Sequence, residues 1–203
     1  MDTKKRTVAA RERDPDARAA WWTAIQSIDP TRLIFLDETS TNTAMLARYA
    51  RSPRGQRANA TAPRNWGPNV TLVASFSVRG AGPSMVVRDA LTSEGMVAYL
   101  EQALVPTLQP GQIVVLDNLN VHRHVRVREV IESAGCELRY LPSYSPDYAP
   151  IEQGFAKLKG YLRKTAARTF DALVAAIGAG LDEITSEDAL GCFRGCGYRV
   201  AQP

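Results

Sequence analysis

The sequence predicts an α/β domain in which a mixed five-stranded sheet carries helices on both faces. Three observations predict it. Five short apolar runs have strand length and strand composition. Stretches with apolar residues at helical spacing separate and follow the later runs. The chain of 203 residues, 45% hydrophobic and 23% charged, has the size and balance of one globular domain with an appendage.

Residues 1–30 are polar and basic at first. They then carry Trp21, Trp22, Ile25 and Ile28 at helical spacing before Asp29-Pro30 stops the helix. We read this part as a linker with a docking helix, and 31–203 as the main domain. The first strand covers about 32–37, and a long segment rich in Arg, Pro, Gly and Asn follows as far as Pro68. Val70 to Val78 and Ser84 to Val87 read as two more strands, joined by a turn over Arg79-Gly80-Ala81-Gly82-Pro83. Thr92-Ser93-Glu94-Gly95 starts a helix expected to run through Leu108, with Met96, Tyr99, Leu100, Ala103 and Leu104 on one side. After Pro110-Gly111, a strand over 112–117, a helix over about 121–134 and a strand from Glu137 to Leu141 complete the sheet. Helices over about 150–167 and 170–184, and a short one near 187–193, close the chain. Three consecutive strands followed by helix, strand, helix, strand and further helices is the order of a ribonuclease H-like fold, in which the first and fourth strands lie side by side and parallel.

That adjacency matters because both strands end in an acid. Asp37 closes Leu33-Ile34-Phe35-Leu36, Asp117 closes Ile113-Val114-Val115-Leu116, and Glu152 opens the helix after Ser145-Pro146-Asp147-Tyr148-Ala149-Pro150. Carboxylates without partners are costly at the ends of buried strands, and hard divalent cations are the usual remedy. Each acid alone reads as turn or helix-end chemistry. The three together point to a metal-dependent site acting on phosphates. Side-chain alternation assigns Glu38 to the opposite strand face, and Asp147 is assigned to turn chemistry.

The segments Phe35-Leu36-Asp37-Glu38-Thr39, Val115-Leu116-Asp117-Asn118 with His122 following, and Tyr144-Ser145-Pro146-Asp147-Tyr148-Ala149-Pro150-Ile151-Glu152-Gln153 with Leu158-Lys159 resemble the three catalytic motifs of DDE transposases. More narrowly they resemble the mariner superfamily and its bacterial insertion-sequence relatives. The interval of 34 residues between Asp117 and Glu152 fits that resemblance, and so does the tail Cys192-Phe193-Arg194-Gly195-Cys196-Gly197-Tyr198. Two departures are Ala149, where Asn is usual before Pro150, and Gly154-Phe155 in place of a bulkier pair.

The resemblance implies Asp37, Asp117 and Glu152 as catalytic and metal-ligating residues. It also implies DNA strand cleavage by water, followed by transfer of the freed 3′-hydroxyl into target DNA. A pair of divalent ions about 3.5–4 Å apart stabilises the attacking and leaving oxygens of such a displacement. Asp37 is the expected bridging ligand, with Asp117 and Glu152 completing one ion each. Magnesium is expected and manganese is compatible, because all the ligands are oxygen. The implied partners are transposon-end and target DNA and a second copy of the chain. The implied place is a bacterial cytoplasm, on the nucleoid when bound to DNA.

The net charge of +4 suits a polyanionic partner. Arg48, Arg51, Arg54, Arg57 and Arg64 form a basic loop after the first strand that is expected to lie on a DNA backbone, the bland alternative being a merely soluble loop. On the helix of Glu152, Ile151, Phe155, Leu158 and Leu162 face the core, whereas Lys159 and Arg163 share the stripe of Glu152 and lead away from it. The resemblance places Asn118 and His122 beside the site in contact with DNA; Asn120 is a candidate cap for the next helix. Cys136, Cys192 and Cys196 form no disulfide pattern and no zinc signature, and read as small buried side chains in a reducing compartment. Trp21, Trp22 and Trp66 read as packing residues.

No apolar stretch approaches the roughly 20 residues of a membrane span. About thirty residues precede the first strand, too few for the DNA-reading modules usual in the resembled family, so the chain reads as a catalytic domain alone. Two rivals differ in class. A haloacid-dehalogenase-type phosphatase needs Asp-x-Asp, and Thr39 stands where its second acid would be. A regulatory remnant of a transposase would bind DNA or a partner without cutting, but retains no obvious need for all three acids.

Overall fold

Five strands pair in the order β3-β2-β1-β4-β5, with β1 at Leu33–Thr41, β2 at Val70–Ser77, β3 at Gly80–Arg88, β4 at Ile113–Leu116 and β5 at Glu137–Tyr140. The computed structural model describes residues 10–47, 49–65, 67–118 and 124–200. The helices are α1 Pro15–Ile25, α2 Ser93–Tyr99, α3 Val125–Ser133, α4 Pro150–Thr165, α5 Phe170–Asp182 and α6 Ser186–Gly195. β1, β2 and β3 form an antiparallel meander, while β4 joins β1 and β5 joins β4 in parallel. This is the mixed sheet expected from the sequence.

Alternation along the central strands divides the core in two. Leu33, Phe35, Ile113 and Val115 face one layer with Leu72, Phe76, Ile151, Phe155, Leu158, Ile177 and Phe193, so α4, α5 and α6 cover that side. Ile34, Leu36, Val114 and Leu116 face the other layer with Met96 and Tyr99 from α2, Leu100 just after it, and Val127 and Ile131 from α3. Both faces of the parallel strands are therefore buried, as their unbroken apolar runs require. Gly154 lets α4 approach β2 closely, since a Cβ there would stand 2.9 Å from Cε2 of Phe76.

Several boundaries differ from the sequence expectation, each for a local reason. β1 runs on to Thr41, because its second half pairs with β2 from Asp37↔Ala74 to Thr41↔Val70 after β4 has ended. The hairpin between β2 and β3 turns at Val78-Arg79, with Ser77 opposite Gly80. Gly82 and Pro83 lie inside β3 instead of in a turn: β3 is an edge strand, and a register shift between Ala74 and Phe76 absorbs the irregularity. The helix from Ser93 widens to a π-helix over Leu100–Leu104 and tightens to a 3-10 turn over Val105–Thr107. Pro106 supplies the cause, because its ring removes a helical donor and clashes with the preceding turn. α3 begins at Val125, capped by His124, whose Nδ1 accepts from the backbone of Arg126 at 3.3 Å; Asn120 lies outside the described residues.

α1 packs through the buried Ile25 and the half-buried Trp21 and Trp22 onto the α4 layer. Among the described residues, the segment 42–69 holds no helix or strand, and no helix is long and apolar enough to cross a membrane.

Candidate active site

The register of β1 and β4 brings two of the acids together. Leu36 pairs with Leu116 as the last step of the parallel ladder, and Asp37 and Asp117 are the next residue on each strand. Neighbouring strands lie about 4.8 Å apart, and residues at one register level point to one face. Because Phe35 and Val115 face the α4 layer, Asp37 and Asp117 face it too. Glu152 stands in the first turn of α4. All three acids line one cavity of about 560 Å³, together with Glu38, Asn118, Ser143, Tyr144 and Pro146.

The cavity is acidic enough to disturb its own members. Burial pushes the Asp37 carboxyl up to about 7, and the charges of Glu152, Asp117 and Glu38 push the same way. A hydrogen bond from the Glu38 backbone N–H to Oδ1 at 2.8 Å opposes the rise without cancelling it. Crowded carboxylates with exclusively oxygen donors are the chemistry that a hard divalent cation relieves. Among the described residues no three Asp, Glu, His or Cys side chains stand close enough to hold one ion as placed. Glu152, exposed at the cavity mouth, has the side-chain freedom to turn inward.

Asn118 lines the cavity, with Nδ2 donating to Ser143 Oγ at 3.3 Å. Glu38 alternates to the other face, yet it lines the rim of this cavity and of a smaller one beyond β1. Arg51, Arg54, Arg57 and Arg64 are exposed along the irregular segment, whereas Arg48, His122 and Trp66 lie outside the described residues. Lys159 and Arg163 are half-buried on α4, beside the buried stripe of Ile151, Phe155, Leu158 and Leu162. The three cysteines are unpaired thiols, with Cys136 and Cys196 buried.

Two features escape the sequence reading. Tyr144, 57% exposed, stands at the cavity wall with a left-handed φ of 56°. Asp147, assigned to turn chemistry, instead receives both Arg13 and Arg18 in ion pairs of 2.7 Å. The bunching of Arg11, Arg13 and Arg18 was the available signal, but sequence spacing cannot pair groups more than a hundred residues apart.

The family model described as DDE superfamily endonuclease matches residues 32–174, a span that includes all three acids. The chain belongs to the DDE superfamily of endonucleases. Among solved structures, the Mos1 transposase paired-end complex with left transposon end superposes with a TM-score of 0.74 at 18% identity, covering 97% of this chain and 62% of that one. The Mos1 strand transfer complex gives 0.73 at 17%, covering 99% and 68%. The catalytic domain of Mos1 mariner transposase gives 0.65 at 14%, covering 92% and 93%. At such identities the likeness is one of fold: this member of the superfamily has the architecture of that ribonuclease H-like catalytic domain. The chain spans 62% of the length of the Mos1 transposase in the first complex. Mos1 paired-end complexes with Mn and with Mg are also similar. Comparison with curated proteins found no match.

Proposed function

We propose that this superfamily member is a transposase catalytic domain that cuts DNA strands and joins them to a target, with Asp37, Asp117 and Glu152 as its catalytic and metal-ligating residues. The observation that carries the reading is the register: Leu36↔Leu116 is the last parallel pair, so Asp37 and Asp117 follow it side by side and line one cavity with Glu152 of α4. The solved Mos1 complexes with Mg and Mn, and the strand transfer complex, support the choice of metal and of reaction.

Asp37, whose carboxyl feels the charges of both other acids, would bridge two magnesium or manganese ions. Asp117 and Glu152 would each complete one ion, Glu152 by rotating into the cavity. Bound there, the ions neutralise the charge on the attacking and leaving oxygens of an in-line displacement. Cleavage adds a water oxygen to phosphorus and breaks the P–O3′ bond, leaving a 5′-phosphate and a 3′-hydroxyl. Joining reverses the roles, as the 3′-hydroxyl attacks a target phosphodiester and a target 3′-oxygen leaves. Asn118, held by Ser143 at the rim, would contact the bound strand, as would His122. Arg48, Arg51, Arg54, Arg57 and Arg64, together with Lys159 and Arg163, would engage backbone phosphates. A homodimer on DNA and a cytoplasmic, nucleoid-associated place complete the proposal. So does the division into a docking segment, 1–30, and a catalytic domain, 31–203.

Nicking of supercoiled plasmid with magnesium tests it. Asp117→Asn keeps the side-chain shape but removes its charge, so the variant should fold normally and nick at least about 100-fold more slowly. Nicking by that variant at the wild-type rate would sink the assignment.

A further inference from the structure

Between β5 and α4 the chain makes one 3-10 turn, Pro146–Tyr148, and the two ends of the molecule meet on it. Asp147 receives Arg13 Nη2 on both carboxylate oxygens at 2.7 Å, and Arg18 through Nη1 at 3.1 Å and Nη2 at 2.7 Å. The Arg18 guanidinium also lies 3.9 Å from the centroid of the Tyr148 ring. One helical turn later, Trp22 stacks on that ring at 5.2 Å. From the opposite end of the chain, the Tyr198 hydroxyl donates to the Tyr148 carbonyl at 2.8 Å. Gly197 makes room for this, with φ of 90° and a Cβ position that would lie 2.9 Å from the Trp22 ring.

We propose that Asp147 and Tyr148 form a latch by which α1 positions Glu152, so that the third acid is competent only while α1 is docked. The inference rests on the functional reading above. Chain continuity links the latch to Glu152. After Tyr148 come the buried Ala149, then Pro150 with its fixed φ, and then Glu152 in the first turn of α4. Ala149 offers no side-chain cap to that turn, so the entry of α4 is set by what grips the residues before it. Pro146, Ser145 and Tyr144 on the other side of the latch are cavity wall. A single exposed ion pair would carry little weight. Here two guanidinium groups share one carboxylate, the Arg18 side chain is only 12% exposed, and an aromatic ring lies beneath it. α1 and Tyr198 both lie outside the matched span 32–174, so the latch joins flanking segments to the shared catalytic unit. Asp147 and Arg18 are thus positioning residues, acting through Glu152.

Two readouts on the full chain test this. One is amide hydrogen exchange over 143–153. The other is the Mn²⁺ dissociation constant, followed by loss of the free-ion electron paramagnetic resonance signal. In Arg13→Ala/Arg18→Ala, exchange over 143–153 should rise about tenfold or more while β1 and β4 stay protected. The Mn²⁺ dissociation constant should rise about tenfold, as for other residues that orient metal ligands. Asp147→Ala, which removes the carboxylate that both guanidinium groups share, should raise both readouts by a similar factor. If the double alanine variant fails to fold, Arg18→Lys, which keeps charge but loses the fork, should show a smaller shift in both readouts. Unchanged exchange would overturn the latch. Raised exchange with an unchanged Mn²⁺ constant would overturn its coupling to Glu152. A wild-type protein that binds no Mn²⁺ would instead overturn the functional reading on which the coupling depends, whatever exchange shows.

Discussion

Burial and the charges of Glu152, Asp117 and Glu38 hold the Asp37 carboxyl at about 7 against an ordinary value of 3.8, and this has a measurable consequence for stability. Below pH 3.8 folded and unfolded chains both keep the proton. Between 3.8 and about 7 the unfolded chain has released it while the folded protein retains it, so rising pH favours unfolding across that window. Above about 7 the loss is complete. It should amount to about 4 kcal/mol in metal-free protein. Asp37→Asn should abolish this component, leaving the variant more stable than wild type in chelator at pH 8 and similar at pH 4. Urea denaturation at both values measures it, and parallel pH profiles for the two proteins would refute it. Asp147 behaves oppositely: burial raises its carboxyl, but the hydrogen bond and charge of Arg18, with the charge of Arg13, outweigh burial and hold it low. At this scale the three acids were legible in the sequence, because each follows or opens an element whose apolar pattern is clear. The partners of Asp147 were not, because the closing contacts join residues 13 and 18 to residue 147.

The elements that carry the site are those with the plainest patterns. β4 is a run of four buried aliphatic residues, and α4 buries one apolar stripe, so both could be placed before any contact was known. Edges were harder to place. β1 outruns its apolar segment because β2 supplies a ladder partner for Glu38 to Thr41, and β3 accepts Gly82 and Pro83 only because one side of it needs no partner. Gly154, where a bulkier residue was expected, has its explanation at this scale. It is the point of contact between α4 and β2, where Phe76 leaves no room for a Cβ. Gly154→Ala would gain about 1 kcal/mol of helix propensity and lose about 1–3 kcal/mol to overpacking. The variant should therefore be less stable by about 1 kcal/mol, read as a lower urea midpoint. A more stable variant would show that the helix yields at no cost.

For the whole molecule, the order β3-β2-β1-β4-β5 is what turns three separate motifs into one place. An antiparallel meander followed by two parallel additions sets β1 in the centre with β4 beside it, and the helix after β5 must cross back over the face of Asp37 and Asp117. Element order in the sequence foretold this arrangement because parallel additions need crossover helices, and the helical spacing after 92 and over about 121–134 supplied them. The basic segment 42–69 had no such pattern, and its described part forms no regular element, with Arg51, Arg54, Arg57 and Arg64 exposed. The central claim is that this end of the sheet holds divalent metal on Asp37, Asp117 and Glu152. Anomalous diffraction from crystals of the protein grown with Mn²⁺ tests that most directly. The account predicts two peaks about 3.5–4 Å apart within the cavity, with Asp37 reaching both and Glu152 turned inward. Carboxyl groups of the three acids more than about 10 Å apart, or a cavity without manganese while the cation sits elsewhere, would contradict it, since no pair of ions at that spacing could then be held.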